Sequence, residues 1–187
     1  MNDYCIEMKI SKTTLPEKSI LNVSRKGYNY VDSFEGDLND NDYKFNPVDI
    51  GKAFFTSSPK WVEKLMTLRD KVVSIFGLKI SGDIADRKRQ LDNFKCEPGE
   101  QIGPFKVFAK TESEVILGED DKHLNFRISL FLNQKKEHNI KNLTISTTVD
   151  FNNWFGRLYF LIIRPFHKLI VPAMLKAVII ELEKRNE

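Results

Sequence analysis

At 187 residues the chain has the length of one domain rather than two, and a compact fold of this size buries about 70 % of its extended-chain surface without disulfide or metal staples. Its 41 % apolar and 29 % charged content excludes a disordered chain, and a net charge of +3 is too mild to specify a nucleic-acid partner or an anionic membrane. The two cysteines, Cys5 and Cys96, form neither a disulfide framework nor a CxxC pair, which makes a reducing cytoplasm the natural compartment.

The first 26 residues are polar with isolated apolar positions and lack the continuous apolar stretch of a secretory signal. They read as an irregular arm laid over the domain. Without an export signal, the glycosylation sequon at Asn142-Leu143-Thr144 reads as plain strand sequence. Tyr28 to Phe34 alternates, placing Tyr28, Tyr30, Asp32 and Phe34 on one face of a first strand with one polar interruption. An acidic loop follows. Asn46 then caps a short helix that has Pro47 in its first turn, Asp49 near its positive end, and its last residue near Thr56.

Ser58-Pro59 repeats the start signal. Trp61, Leu65, Leu68, Val72, Ile75 and Phe76 then make one helical stripe, which Gly77 ends. Residues 78–103, with Arg87-Lys88-Arg89 and Pro98-Gly99, read as a mostly irregular crossover. Four strands follow at 104–110, 113–118, 122–132 and 140–151, joined by short polar turns that favour antiparallel hairpins. In the third, Leu124, Phe126, Ile128, Leu130 and Leu132 oppose Asn125, Arg127 and Ser129. In the fourth, Leu143, Ile145, Val149 and Phe151 oppose Asn142, Thr144, Ser146 and Thr148. One sheet face is therefore expected dry and the other wet. Asn152-Asn153 starts a long apolar helix from Trp154 to about Lys184, in which Pro165 and Pro172 predict a kink or two parts.

This order specifies an α+β fold: a curved antiparallel sheet around a long C-terminal helix, with two short helices after the first strand. Curling a twisted sheet around one helix leaves a gap suited to an apolar ligand. The strings D-S-F at 32–34, F-F-T-S-S-P-K-W-V-E-K-L-M-T-L-R-D-K-V-V-S-I-F-G-L-K at 54–79, I-G-P-F-K-V at 102–107, V-I-L-G-E-D-D-K-H-L-N-F-R-I-S at 115–129 and W-F-G-R-L-Y-F-L-I-I-R-P-F-H-K-L-I-V at 154–171 carry a resemblance. They look like an uncharacterised bacterial domain-of-unknown-function family, itself similar to the helix-grip (SRPBCC) superfamily of START, Bet v 1-like and polyketide-cyclase-type proteins. The similarity spans nearly the whole chain. It implies a fold and a ligand class, with no activity or cofactor to carry over.

No nucleophile, metal or phosphate motif stands above background. Phe126, Ile128, Leu130, Val149, Phe151, Trp154 and Tyr159 are the expected lining of a pocket for a hydrophobic small molecule or lipid. Arg157, Arg164 and Lys168 lie within about 40° of one another on the last helix. Either one of them stands at a cavity mouth to pair with a ligand's carboxylate or phosphate, or all three are the solvated stripe of a buried helix. As a histidine, His167 is a residue type suited to acid–base work, but it has no catalytic partner nearby in sequence. An alternative cyclase or hydratase would draw on Arg157, His167 and Asp32, provided they converge. A protein-interaction module would show exposed apolar area on the last helix.

The acidic run Asp37-Leu38-Asn39-Asp40-Asn41-Asp42 fails as a calcium loop, because Asp42 stands where glycine is needed and Val48 where the bidentate glutamate is needed. Arg87-Lys88-Arg89 is too short a basic run for nucleic acid. Leu158–Leu182 approaches membrane-spanning length, but Arg164, His167, Lys168 and Lys176 interrupt it and favour a core helix, with peripheral membrane contact left open.

Overall fold

A computed structural model of the chain describes residues 8–23, 27–40, 44–65, 67, 90–134 and 139–185. Its strands are β1 (Ser11–Thr13), β2 (Tyr30–Asn39), β3 (Gln101–Ile102), β4 (Phe105–Lys110), β5 (Glu114–Asp120), β6 (Leu124–Gln134) and β7 (Ile140–Phe151). The helices with both ends described are α1 (Ile20–Val23), α2 (Pro47–Thr56) and α3 (Trp154–Glu183), and residues 60–65 and 90–93 are also helical. The strands form one curved, open antiparallel sheet in the order β1-β2-β7-β6-β5-β4-β3, with a long C-terminal helix: an α+β architecture consistent with a helix-grip-like fold. Strands β3 to β7 meander. The chain's early strand β2 returns to pair with β7 from Tyr30–Val149 to Asn39–Ile140.

Local chemistry explains α2 as expected. The Asn46 side chain accepts from the backbone N–H of Val48 and Asp49, while Asp49 accepts from the Asn46 N–H, closing a reciprocal capping box around Pro47. The next helix begins at residue 60, after Pro59, and is described through 65. Among its described residues Val62 is buried and Leu65 partly buried, whereas Trp61 is 42 % exposed, so Val62 takes the inward place expected of Trp61. Leu68, Val72, Ile75, Phe76 and the Arg87-Lys88-Arg89 run lie outside the described residues.

Helix α3 corrects the expectation of two parts, since it runs unbroken for 30 residues with both prolines inside. Pro165 and Pro172 are two turns apart and share one side of the helix. The carbonyls they orphan belong to Leu161 and Lys168, which are exposed, so the missing hydrogen bonds fall on the solvent side of the helix. The C-terminal half is core: Leu175, Val178, Ile179 and Leu182 are fully buried with Leu38, Leu130, Leu143 and Ile145 from the inner sheet face. Each such side chain contributes about 1.5–3 kcal/mol of burial.

The outer sheet face is polar, but its centre is not wet. Ser33, Glu114, Ser129, Thr144, Ser146 and Thr148 are all buried. The N-terminal arm covers them, and it is ordered rather than irregular where it does so. β1 pairs with β2, and α1 docks through Leu21 and the Glu114 carboxylate. That carboxylate accepts from Ser19 Oγ at 2.6 Å, the Ile20 N–H at 2.8 Å, and Ser129 Oγ. Strand alternation marks only which residue types share a face. Whether the chain's own arm excludes water from that face is a tertiary matter.

The acidic run behind β2 is likewise not a loop throughout. Asp37 to Asn39 belong to β2, and Asp40 is fully buried beside the Lys141 ammonium at 2.5 Å. Asp40 also accepts from the N–H groups of Lys44 and Phe45, and Lys141 donates to the Phe45 carbonyl at 2.8 Å. These contacts fix the chain as it turns from β2 into α2.

Candidate functional site

Three polar groups meet on the largely apolar inner face. Asp32 projects from β2 toward α3, and its Oδ1 lies 3.2 Å from His167 Nε2. Its Oδ2 accepts from the Tyr30 hydroxyl at 2.6 Å. Both side chains of the Asp32–His167 pair are largely sequestered, at 4 % and 16 % exposed. Strand periodicity brings Tyr30 and Asp32 to one face. His167 joins them because α3 lies over β2, with Phe160 against the Tyr30 ring at 4.7 Å and against Phe151 at 5.5 Å. The Arg164 guanidinium sits 5.3 Å from the Tyr30 ring centroid, within cation–π range.

The donor and acceptor roles follow from the chemistry of each group. Burial, and then the hydrogen bond to Asp32, push the Tyr30 phenol well above its usual range, so it remains a donor. Asp32 as acceptor places a hydrogen on His167 Nε2 and leaves Nδ1 for another partner. The strand neighbour of Asp32 across the sheet is Thr147, whose Oγ1 is buried with no hydrogen-bond partner among the described residues.

This cluster borders an opening. β1 pairs with β2 only from Ser33 to Glu35, so the flank of Tyr30–Asp32 carries no strand among the described residues. A cleft of about 450 Å³ lies there between the N-terminal arm and the edge of β2, lined by Lys12, Thr13, Thr14, Leu15, Asn22, Tyr28, Val31, Asp32 and Ser33; Asp32 is its one residue from the cluster, and no α3 residue lines it. On the inner face, Leu124, Phe126, Ile128 and Phe151 are only half-buried beside the N-terminal half of α3. The next positions, Leu130 and Ile145, are sealed. The sheet–helix layer is thus closed at one end and looser at the other.

The residues expected to line a pocket divide along this gradient. Phe126, Ile128, Phe151 and Tyr159 are half-buried, whereas Leu130 and Val149 are interior packing. Trp154 is 73 % exposed and Arg157 is exposed, both on the side of α3 away from the sheet. Of the three residues nominated for acid–base work, Asp32 and His167 converge and Arg157 does not join them. Tyr30 and Thr147 were not singled out for a site. For Tyr30 the signal was present in its shared strand face with Asp32. For Thr147 it was not, because only the β2–β7 register brings it alongside.

No curated protein and no solved structure matches the chain. A family model described as "Protein of unknown function (DUF2867)" matches residues 24–174, most of the chain, and the chain belongs to that family.

Proposed function

We propose that this protein binds a hydrophobic or amphipathic small molecule between its sheet and C-terminal helix, in the manner of the helix-grip superfamily that its sequence resembles. The observation that carries the reading is the Tyr30–Asp32–His167 cluster. It is a polar anchor set into an apolar face, beside the half-buried Ile128 and Phe151 and a buried threonine hydroxyl that has no hydrogen-bond partner among the described residues. Such a site recognises a ligand by a few placed polar groups and holds it by apolar contact. His167 Nδ1 and the Asp32 carboxylate offer an acceptor set to the ligand's polar head, and Phe126 and Ile128 offer the apolar wall.

Native mass spectrometry of the purified chain, followed by solvent extraction, tests the reading. A co-purifying lipid or isoprenoid that is lost in Asp32→Asn and displaced in Ile128→Trp is the expected result. Ligand-free protein, together with no thermal shift from a panel of fatty alcohols and isoprenoid alcohols, rejects it.

A second reading is favoured by one specific geometry. A carboxylate that holds a histidine by one ring nitrogen leaves the other poised to move a proton. A cyclase- or hydratase-type reaction would use His167 in that way, with Asp32 as its positioning residue. His167→Gln then retains the ligand and abolishes its conversion. Equal conversion by the variant discards the catalytic reading while leaving the binding reading intact.

A further inference from the structure

The N-terminal half of α3 carries apolar residues on the side that faces away from the domain. Trp154, Leu158, Leu161, Ile162, Phe166 and Leu169 are each between 47 % and 73 % exposed. At 100° per residue they fall within an arc of about 140°, and at 1.5 Å per residue they form a stripe about 22 Å long. Soluble monomers rarely present so continuous an apolar strip without a use for it.

Charge flanks the stripe on one side. Arg157, Arg164 and Lys168 occupy an arc of about 40° bordering it, and all three are exposed. Between Asp150 and Glu181 the sequence contains no carboxylate, although the same stretch holds Arg157, Arg164, Lys168 and Lys176. The helix is long and apolar enough to cross a membrane by length and composition, yet it is held sideways: His167 pairs with Asp32, and the C-terminal half is core.

We infer that this face is a docking surface for an anionic lipid bilayer, on which α3 lies in the plane of the headgroups. An apolar stripe with tryptophan at one end and cations along one edge is the composition of an interfacial helix, which sinks about 5–10 Å into the headgroup and acyl boundary. Charge decides against a second copy as the occupant. Two copies paired antiparallel through this stripe by a two-fold axis would bring Arg157, Arg164 and Lys168 to the same edge as their counterparts, and α3 has no carboxylate before Glu181 to neutralise them. Anionic lipid headgroups supply that neutralisation. The surface is separable from the ligand reading, because none of the stripe residues belongs to the Asp32 cluster; of the flanking cations Arg164 alone sits over the Tyr30 ring, and Arg157 and Lys168 can be changed without touching it.

Vesicle flotation of the full chain tests the inference, with phosphatidylcholine vesicles compared against a phosphatidylcholine and phosphatidylserine mixture. Binding is expected to the mixed vesicles, weakening as salt is raised, with little to phosphatidylcholine alone. Replacing Arg157 or Lys168 by glutamine should each reduce it about five-fold, and Leu161→Glu should abolish it. Trp154 emission, read in a Trp61→Phe background, should shift to the blue on the mixed vesicles. All these side chains are exposed, so unchanged melting curves will confirm that the variants fold. The inference is overturned by equal binding to both vesicle types, by indifference to Leu161→Glu, or by a dimer in solution that Leu161→Glu dissociates.

Discussion

Cys96 shows how burial governs a single group. It is wholly enclosed, in a left-handed backbone conformation (φ 55°), and an added Cβ on Gly51 of α2 would lie 2.4 Å from its Sγ. Burial, and then the nearby Glu100 charge, push the thiol up to about 12 from its ordinary 9.0. A raised folded-state value means the unfolded chain ionises first. The stabilising effect is therefore complete below pH 9.0 and is lost as pH rises toward about 12. Cys96 should resist iodoacetamide at about pH 8 and react readily in urea, as read by peptide mapping; alkylation of the native chain at the unfolded rate would contradict this. Gly51→Ala has no room without displacing the sulfur, and a fall in Tm measured by calorimetry is its expected signature.

Elements are held to one another by a few buried polar joints. The Asp40–Lys141 pair ties the start of α2 to β7, and Lys141→Met would leave Asp40 enclosed beside two backbone donors with its cation gone. Breaking one side of a buried pair typically destabilises by about 3–5 kcal/mol, which urea denaturation will read directly. The Glu114 joint is different in kind, since it holds the arm rather than the core. Glu114→Ala removes the acceptor for Ser19, Ser129 and the first N–H of α1. About 1–3 kcal/mol should be lost, and trypsin cleavage after the exposed Lys18 should accelerate while β6 and β7 keep their hydrogen-exchange protection. Equal loss of protection across the sheet would show instead that arm and sheet unfold as one. At the other end, Gly156 lets the first turn of α3 approach the β5–β6 turn, because a Cβ there would lie 2.1 Å from the His123 carbonyl oxygen. Gly156→Ala should therefore shift the helix that carries His167, and a changed His167 imidazole signal in NMR is the observation to seek.

Across the whole molecule, α3 does two jobs along its length. Its C-terminal half completes the core, while its N-terminal half brings Phe160 and His167 onto β2 and leaves the opposite side to solvent. Truncating His167 to alanine leaves the Asp32 side chain, which is 4 % exposed, with Tyr30 as its remaining side-chain partner among the described residues. A loss of about 1–3 kcal/mol is expected, larger than for Arg157→Ala on the exposed side, which should lie within about 0.5 kcal/mol of the parent. Parallel chemical melts of the two variants make the comparison, and equal losses would show that the pair contributes nothing to docking α3.

Local signals in the sequence were sufficient wherever the deciding interaction spans a few residues. The Asn46-Pro47-Asp49 start of α2, the alternation of β6 and β7, and the Asn153 start of α3 all depend on neighbours within about one helical turn or one strand pair. The unbroken course of α3 through two prolines was not legible, because it depends on which side of the helix faces water. Nor was the dryness of the polar outer face, which the arm imposes through Glu114 across 95 residues of chain. The candidate site divides in the same way. Asp32 and His167 were legible one by one as unusual residues on apolar faces, but they lie 135 residues apart. Only the packing of α3 against β2 makes them a pair, since side-chain chemistry is written locally and proximity is set by how the layers stack.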